Sequence, residues 1–294
     1  MTDPKMMEKI KTGQGFIAAL DQSGGSTPGA LKGYGVDENS YASEEEMFAA
    51  IHAMRTRIIT SPCFNGDKVI GAILFEKTMD GDADGEPVPQ ALWARGVVPF
   101  LKVDKGLEDE ADGVKLMKPM PELDALCARA VEKGVFGTKM RSVIERASPT
   151  GIAAIVKQQF DVAAQIAGHG LMPIIEPEVS IKSPERAQCD VLLRDAMVKA
   201  LDAMGEGQVM LKLTLPAQAN LFAPLVDHPR VLRVVALSGG FNREEACRQL
   251  AQNRGMIASF SRALLSDLRH QMSDQEFDGA LGTAIDDIHT ASVS

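Results

Sequence analysis

The chain has 294 residues, 45% of them hydrophobic and 24% charged, which is enough length and apolar content for a sizeable core and excludes disorder as the main state. Forty acidic residues against 31 basic ones give a net charge of −9, so a general electrostatic grip on nucleic acid or anionic lipid is excluded and any anionic ligand is left to local groups. Residues 1–15 mix Lys and Glu around no apolar segment. No stretch approaches the roughly 18 apolar residues of a membrane span, so a cytoplasmic protein with neither nucleic acid nor membrane as partner is expected. Cys63, Cys127, Cys189 and Cys247 lie far apart, with no Cys-x-x-Cys pair and no clustered histidines. Free thiols, no disulfide framework and no metal site are expected.

Eight short apolar runs, partly β-branched and bounded by turn or charged residues, predict strands at Phe16–Leu20, Gly71–Phe75, Val98–Val103, Val135–Met140, Leu171–Ile175, Val209–Leu215, Val231–Leu237 and Met256–Phe260. Amphipathic stretches lie between most of them. The long connection after Leu20 must hold a helix such as Glu44–Ile58 plus irregular structure. Ser183–Met204 reads as a helix with Ser183 as its N-cap, Pro184 in the first turn and Leu193, Met197, Leu201 and Met204 as its stripe. Strands alternating with helices imply parallel pairing, and eight units in a chain slightly longer than the roughly 250 residues of the class predict an α/β fold, the (β/α)8 TIM barrel. One domain over 1–294 is expected, with short N-terminal and C-terminal helical extensions. A doubly wound sheet is disfavoured, since neither Gly-x-Gly-x-x-Gly nor a P-loop follows the first strand.

Strands buried on both faces are charge-poor, yet these are not. The first run ends at Asp21, the third carries Lys102 and Asp104, the fourth Lys139 and Arg141, the fifth Glu176 and Glu178, and the sixth Lys212. The seventh ends in Ser238-Gly239-Gly240, and the eighth leads through Ser259 to Arg262. Where two charges occur they are spaced i, i+2, on one face of an extended segment. All lie toward the C-terminal ends, the face on which barrel active sites are built, with phosphate commonly held after strands seven and eight. Any one of them alone also reads as a solvated strand end or a buried ion pair.

Lys212 is the most informative, an amine inside Val209-Met210-Leu211-Lys212-Leu213-Thr214-Leu215. A buried ammonium is costly to keep charged, and a neutral amine in a dry pocket is a carbonyl nucleophile; snorkelling to the rim or pairing with Glu176 is the plainer reading. Glu176 and Glu178, stiffened by Pro177 between them, suit divided acid and base work or are two exposed loop glutamates. Asp21, ahead of Gln22-Ser23-Gly24-Gly25-Ser26, is a catalytic acid or the start of a turn. Asp80-Gly81-Asp82-Ala83-Asp84-Gly85 imitates half an EF-hand loop, but Ala91 stands at the twelfth position and Pro87 and Pro89 intervene, so an acidic surface turn is expected. No Gly-x-Ser-x-Gly elbow supports a serine hydrolase.

In their order these segments resemble class I fructose-bisphosphate aldolase, in its shorter bacterial form, from about Gly15 to Ser266. Ile17-Ala18-Ala19-Leu20-Asp21 resembles the family's first strand, Leu101-Lys102-Val103-Asp104-Lys105-Gly106 its third, Lys139-x-Arg141 its fourth, and Pro173-Ile174-Ile175-Glu176-Pro177-Glu178 its two-glutamate strand. Leu211-Lys212 resembles the Schiff-base strand, and Leu237-Ser238-Gly239-Gly240 and Ser259-Phe260-Ser261-Arg262-Ala263-Leu264 the phosphate turns. The resemblance implies a glycolytic and gluconeogenic lyase that reversibly cleaves fructose 1,6-bisphosphate into dihydroxyacetone phosphate and glyceraldehyde 3-phosphate, without metal or organic cofactor. It implies Lys212 as Schiff-base nucleophile, Glu176 as principal acid/base, Glu178 as its orienting neighbour, Asp21 near the C4 hydroxyl and Lys139 as an electrostatic partner. Ser238, Gly239, Gly240 and Arg262 would hold the C1 phosphate, Arg141 is a candidate for the C6 phosphate, and Lys102 and Ser259 are further substrate- or phosphate-binding residues. A phosphosugar is the only partner implied, and a homo-oligomer is left open. The alternative is a Schiff-base lyase or transferase on another phosphorylated sugar; a silent binding protein on the same barrel is expected to have lost Lys212 or Glu176. Two departures stand out. The larger members end in a tyrosine that serves C3 proton exchange, whereas this tail reads Ala291-Ser292-Val293-Ser294, and Ser261 occupies a position often Gly in those relatives.

Overall fold

The computed structural model describes residues 3–294. Eight strands follow one another in chain order around a barrel: β1 Phe16–Leu20, β2 Val69–Leu74, β3 Val98–Lys102, β4 Gly137–Ile144, β5 Met172–Val179, β6 Val209–Thr214, β7 Val231–Leu237 and β8 Met256–Ala258. Each pairs in parallel with the next. The Ala19 N–H donates to the Phe260 carbonyl at 3.2 Å and brings the chain after β8 back against β1. The TIM barrel expected from eight alternating units is the fold, and helices on the outside account for strands apolar on both faces.

Two strands run farther than their apolar runs. Strand β4 continues through Arg141 and Ser142, and β5 through Glu176, Pro177 and Glu178. The outward Ser142 hydroxyl accepts a hydrogen bond from the Gln159 amide at 2.8 Å, so a polar residue is satisfied within the helix–sheet layer. A short antiparallel segment, Val114–Lys115, pairs alongside the end of β4 at Val143 and Ile144. The expected helix from Ser183 begins later, at Arg186, with Glu185 as N-cap. The Ser183 hydroxyl instead accepts from the Glu185 N–H at 3.2 Å, which spends it on a turn. Helix Glu44–Thr60 in the long first connection is started by Ser43, whose hydroxyl accepts from the Glu46 N–H at 3.1 Å. Glu44, Glu45 and Glu46 in its first turn complement the helix dipole. Asp82–Ala83 and Glu86–Pro87 form a minute hairpin turned by Asp84 and Gly85 at φ 52° and 81°, the acidic turn expected there.

The helix Pro4–Thr12 plugs the N-terminal end of the barrel. Asp3 caps it, its carboxylate accepting from the Lys5 N–H at 2.7 Å. Met6 and Ile10 pack into the lower interior with Ile17, Ile73, Phe100, Phe136, Ile174, Met210, Val235 and Ile257. From β7, Arg233 donates to the carbonyls of Ile10 at 3.1 Å and Gly13 at 2.8 Å, satisfying the helix C-terminus from within the barrel. The C-terminal helix Asp274–Ser292 packs against β8 and β1. It therefore occupies the eighth helical position of the barrel itself, burying Phe277, Leu281, Ala284, Ile285 and Ile288. No described helix is long and apolar enough to cross a membrane.

Candidate active site

Alternation along each strand decides which side chains face the barrel axis. On β1 it turns Ile17, Ala19 and then Asp21 inward, while Phe16, Ala18 and Leu20 pack toward the helices. The same alternation raises Lys102 above Phe100, Glu176 above Ile174, and Lys212 above Met210. Lys102 and Lys139 are register partners across β3 and β4. The upper interior is thus a ring of charge over an apolar floor.

The ring is closely paired. The Lys139 Nζ lies 2.6 Å from Asp21 Oδ2, 3.1 Å from Glu176 Oε2 and 4.0 Å from Asp104 Oδ2. Glu176 reaches the other way with Oε1, 3.1 Å from the Lys212 Nζ. Lys102 pairs with Asp104 at 2.8 Å. Lys139, Glu176 and Lys212 are only 3%, 3% and 4% exposed. Burial by itself raises the Asp21 carboxyl, but Lys139, then Lys212 and Lys102, pull it well below its ordinary range. Burial likewise disfavours the Lys139 ammonium, and Asp21, Glu176 and Asp104 outweigh it and push its pKa far up. Lys139 is therefore a fixed positive charge and Asp21 a fixed negative one.

Above the ring opens a cavity of about 1260 Å³, into which Asp21, Lys102, Asp104, Lys139, Arg141, Glu176, Lys212 and Arg262 all project. Glu178 does not line it. Its carboxylate lies 2.5 Å from Arg141 Nε, because the i, i+2 step carries it outward along β5 to the level of that guanidinium. Asp104 accepts from the Arg141 N–H at 3.2 Å and the Gly106 N–H at 3.3 Å, which ties the end of β3 to β4.

Ser238, Gly239, Gly240 and Ser259 lie outside the cavity lining. Ser238 and Ser259 are buried, and the Ser259 hydroxyl has no hydrogen-bond partner. Gly239 and Gly240 take φ 62° and 123°, conformations side chains rarely adopt. A Cβ at Gly240 would come 3.3 Å from Arg262 Nη2, so the turn's lack of side chains gives the guanidinium its passage. Arg262 begins the short helix Arg262–Leu265 with Ser261 as N-cap. Arg141 is paired with Glu178, whereas Arg262 has no carboxylate partner among the described residues.

Three further polar residues that no sequence motif marks lie against the site. Gln22 lines the cavity and donates to the Ser261 hydroxyl. Arg55 is fully buried beneath it and donates to the Gln22 carbonyl at 2.5 Å. Gln159, also fully buried, accepts from the Glu176 N–H at 3.3 Å. The available signal was a polar residue in an apolar helical stripe: Arg55 follows Ile51 and Met54 and precedes Ile58, and Gln159 follows Ile155 and Val156 and precedes Ala163.

A sequence model described as fructose-bisphosphate aldolase class-I matches residues 5–230. The fructose-bisphosphate aldolase class 1 of Synechocystis sp. is 55% identical over 292 residues, 99% of this chain and 97% of that protein. This chain belongs to the class I fructose-bisphosphate aldolases. Among solved structures, the fructose-bisphosphate aldolase of Plasmodium falciparum superposes with a TM-score of 0.80, covering 98% of this chain and 93% of its own. At 21% identity that likeness speaks for the barrel alone. Family membership sets the charged ring in context, since class I members work through a lysine Schiff base.

Proposed function

We propose that the chain catalyses the reversible aldol cleavage of fructose 1,6-bisphosphate with Lys212 as the Schiff-base lysine. The observation that carries the assignment is the Lys212 amine itself, on the inward face of β6 at the cavity floor and 3.1 Å from the Glu176 carboxylate. Lys212 must surrender a proton before attacking the C2 ketone, and Glu176 is the acceptor within reach. The same carboxyl, once protonated, returns a proton to the carbinolamine hydroxyl as it leaves as water and the iminium forms. Proton removal from the C4 hydroxyl then breaks the C3–C4 bond, and its electron pair moves onto the iminium nitrogen to give an enamine. Glyceraldehyde 3-phosphate departs, C3 is protonated, and hydrolysis frees dihydroxyacetone phosphate and Lys212.

Asp21 and Lys139, locked in their charged forms, are positioning groups for the hydroxyls around the scissile bond; so strongly held an anion is a weak proton acceptor. Glu176, with Oε1 3.1 Å from the Lys212 Nζ, keeps the acid/base role. Arg262, free of any carboxylate among the described residues and beside the Gly239-Gly240 turn, is the C1-phosphate ligand, and Arg141 is the second guanidinium in the cavity for the C6 phosphate. Borohydride reduction in the presence of dihydroxyacetone phosphate, followed by peptide mapping, tests the assignment. The expected adduct is on Lys212; an adduct on Lys102 or Lys139 overturns it.

A further inference from the structure

Arg55 presents a problem of energetics. It is 0% exposed, and no carboxylate among the described residues pairs with it. Burial lowers its pKa to about 10 while the nearby Asp21 acts to raise it, so the group stays charged at neutral pH. An arginine buried without an ion pair is costly and has to be met by hydrogen bonds. Its Nη1 donates to the Thr78 hydroxyl at 2.8 Å, and its Nη2 to the Gln22 carbonyl at 2.5 Å and the Gln22 side-chain oxygen at 3.2 Å. The Nε has no partner.

These contacts lead to the reacting end of the barrel. Gln22 directly follows Asp21, and with its carbonyl and side-chain oxygen both held by Arg55, its amide is aimed at the Ser261 hydroxyl. Ser261 is the N-cap of the short helix that begins with Arg262. Thr78 lies in the helix Glu76–Asp80 after β2. One guanidinium therefore links the segments after β1, β2 and β8, and the last of these carries the phosphate arginine. Only a planar fork with several fixed donors can hold two oxygens of one residue and a hydroxyl of another together.

We propose that Arg55 is a positioning residue for phosphosugar binding, which acts through Gln22 and Ser261 to fix the turn from which Arg262 enters the cavity. The proposal rests on the assignment of Arg262 to phosphate. Ser261, read above as a departure from larger relatives, acquires a use here: its hydroxyl is the acceptor that joins the two loops.

Steady-state kinetics with fructose 1,6-bisphosphate on six variants test it. Arg262→Ala is expected to raise KM strongly and establishes the phosphate role. Gln22→Leu, which cuts the relay without emptying the buried arginine site, is expected to raise KM about 3–10-fold with kcat within about twofold, the pattern of lost uniform binding. Ser261→Ala should do the same, and the Gln22→Leu/Ser261→Ala double variant no more than the larger single, because both cut one link. Arg55→Met should match them in KM, and Arg55→Lys should recover part of the loss. Unchanged KM in Arg262→Ala overturns the phosphate assignment and this proposal together. Raised KM in Arg262→Ala with unchanged KM in Gln22→Leu overturns this proposal alone. Additive effects of Gln22→Leu and Ser261→Ala also overturn it, since they mean that each side chain touches the substrate independently.

Discussion

Replacing Lys139 with Met tests whether the buried ring is held by one central cation. Its Nζ lies 2.6, 3.1 and 4.0 Å from oxygens of Asp21, Glu176 and Asp104. At an effective dielectric of about 20 these separations correspond to gross attractions of about 6, 5 and 4 kcal/mol, most of which the desolvation of four buried charges cancels. The net loss expected on removing one partner of such a cluster is about 3–5 kcal/mol. Its pH dependence follows from Asp21. In the native protein burial raises this carboxyl, but Lys139, Lys212 and Lys102 hold it well below its ordinary 3.8. Its stabilisation is therefore complete above that value and is lost only as the pH falls through the depressed one. Without Lys139 the largest opposing cation is gone and burial lifts the carboxyl instead. Asp21 then costs stability as the pH rises through its new value, and protonation relieves that cost in acid. Urea unfolding of both proteins near pH 5 and near pH 8 should show the wider gap at pH 8, with activity lost at both. A gap under about 1 kcal/mol, or one that is equal at the two pH values, would refute a ring centred on Lys139.

Glu176→Gln should lower kcat about 10²–10⁴-fold with a smaller change in KM, the usual worth of a positioned acid/base; near-normal turnover passes the role to Asp21. Arg262→Ala should weaken dihydroxyacetone phosphate binding by about 1.5–3 kcal/mol in calorimetry and leave glyceraldehyde 3-phosphate nearly untouched, with Arg262→Lys recovering part of the loss. Equal weakening of both would move the C1-phosphate site elsewhere. Asp190, whose Oδ1 is buried without a partner, is pushed by burial from 3.8 up to about 6 against the Ala217 N–H and Arg186. A raised carboxyl costs stability above its folded pKa and is relieved as the pH falls, so Asp190→Asn should gain up to about 3 kcal/mol near pH 8 and little near pH 4. Melting curves with a constant gain across that range would contradict the burial cause.

The barrel was legible because its strands are apolar on both faces and because the exceptions obey a two-residue period. Asp21, Lys102, Lys139, Glu176 and Lys212 stand out against that background, and their strand-end positions alone place them on one rim. The same logic left the partner of Glu178 unmarked: a two-residue period specifies the face and not the height along the strand, and one step along β5 brings Glu178 to Arg141. Helix starts were less legible, since Ser183 is an equally good N-cap or turn residue and the tertiary contacts of the loop decide between them. Arg55 and Gln159 were missed for a related reason. A polar residue within an apolar helical stripe is visible in sequence, but its meaning depends on which strand lies opposite, and that is a property of packing over more than 30 residues of chain for Arg55 and Gln22.

The arrangement of charge separates catalysis from binding. Three ammonium groups, Lys102, Lys139 and Lys212, face three carboxylates, Asp21, Asp104 and Glu176, so the ring is formally neutral and each member has an opposite neighbour within 4.0 Å. A neutral ring can be buried without a ligand and exerts little net pull on a dianion. Of the positive residues noted in the sequence, Lys102, Lys139, Lys212 and Arg141 each have a carboxylate partner. Arg262, proposed for the C1 phosphate, is unpaired among the described residues and has a turn of two glycines beside it. Its charge acts at hydrogen-bond distance, where the protein's net charge of −9, spread over the surface and screened beyond about 8–10 Å, has little weight. Losses in the ring should accordingly appear in kcat and in stability, and losses along the line from Arg55 through Gln22 and Ser261 to Arg262 in KM.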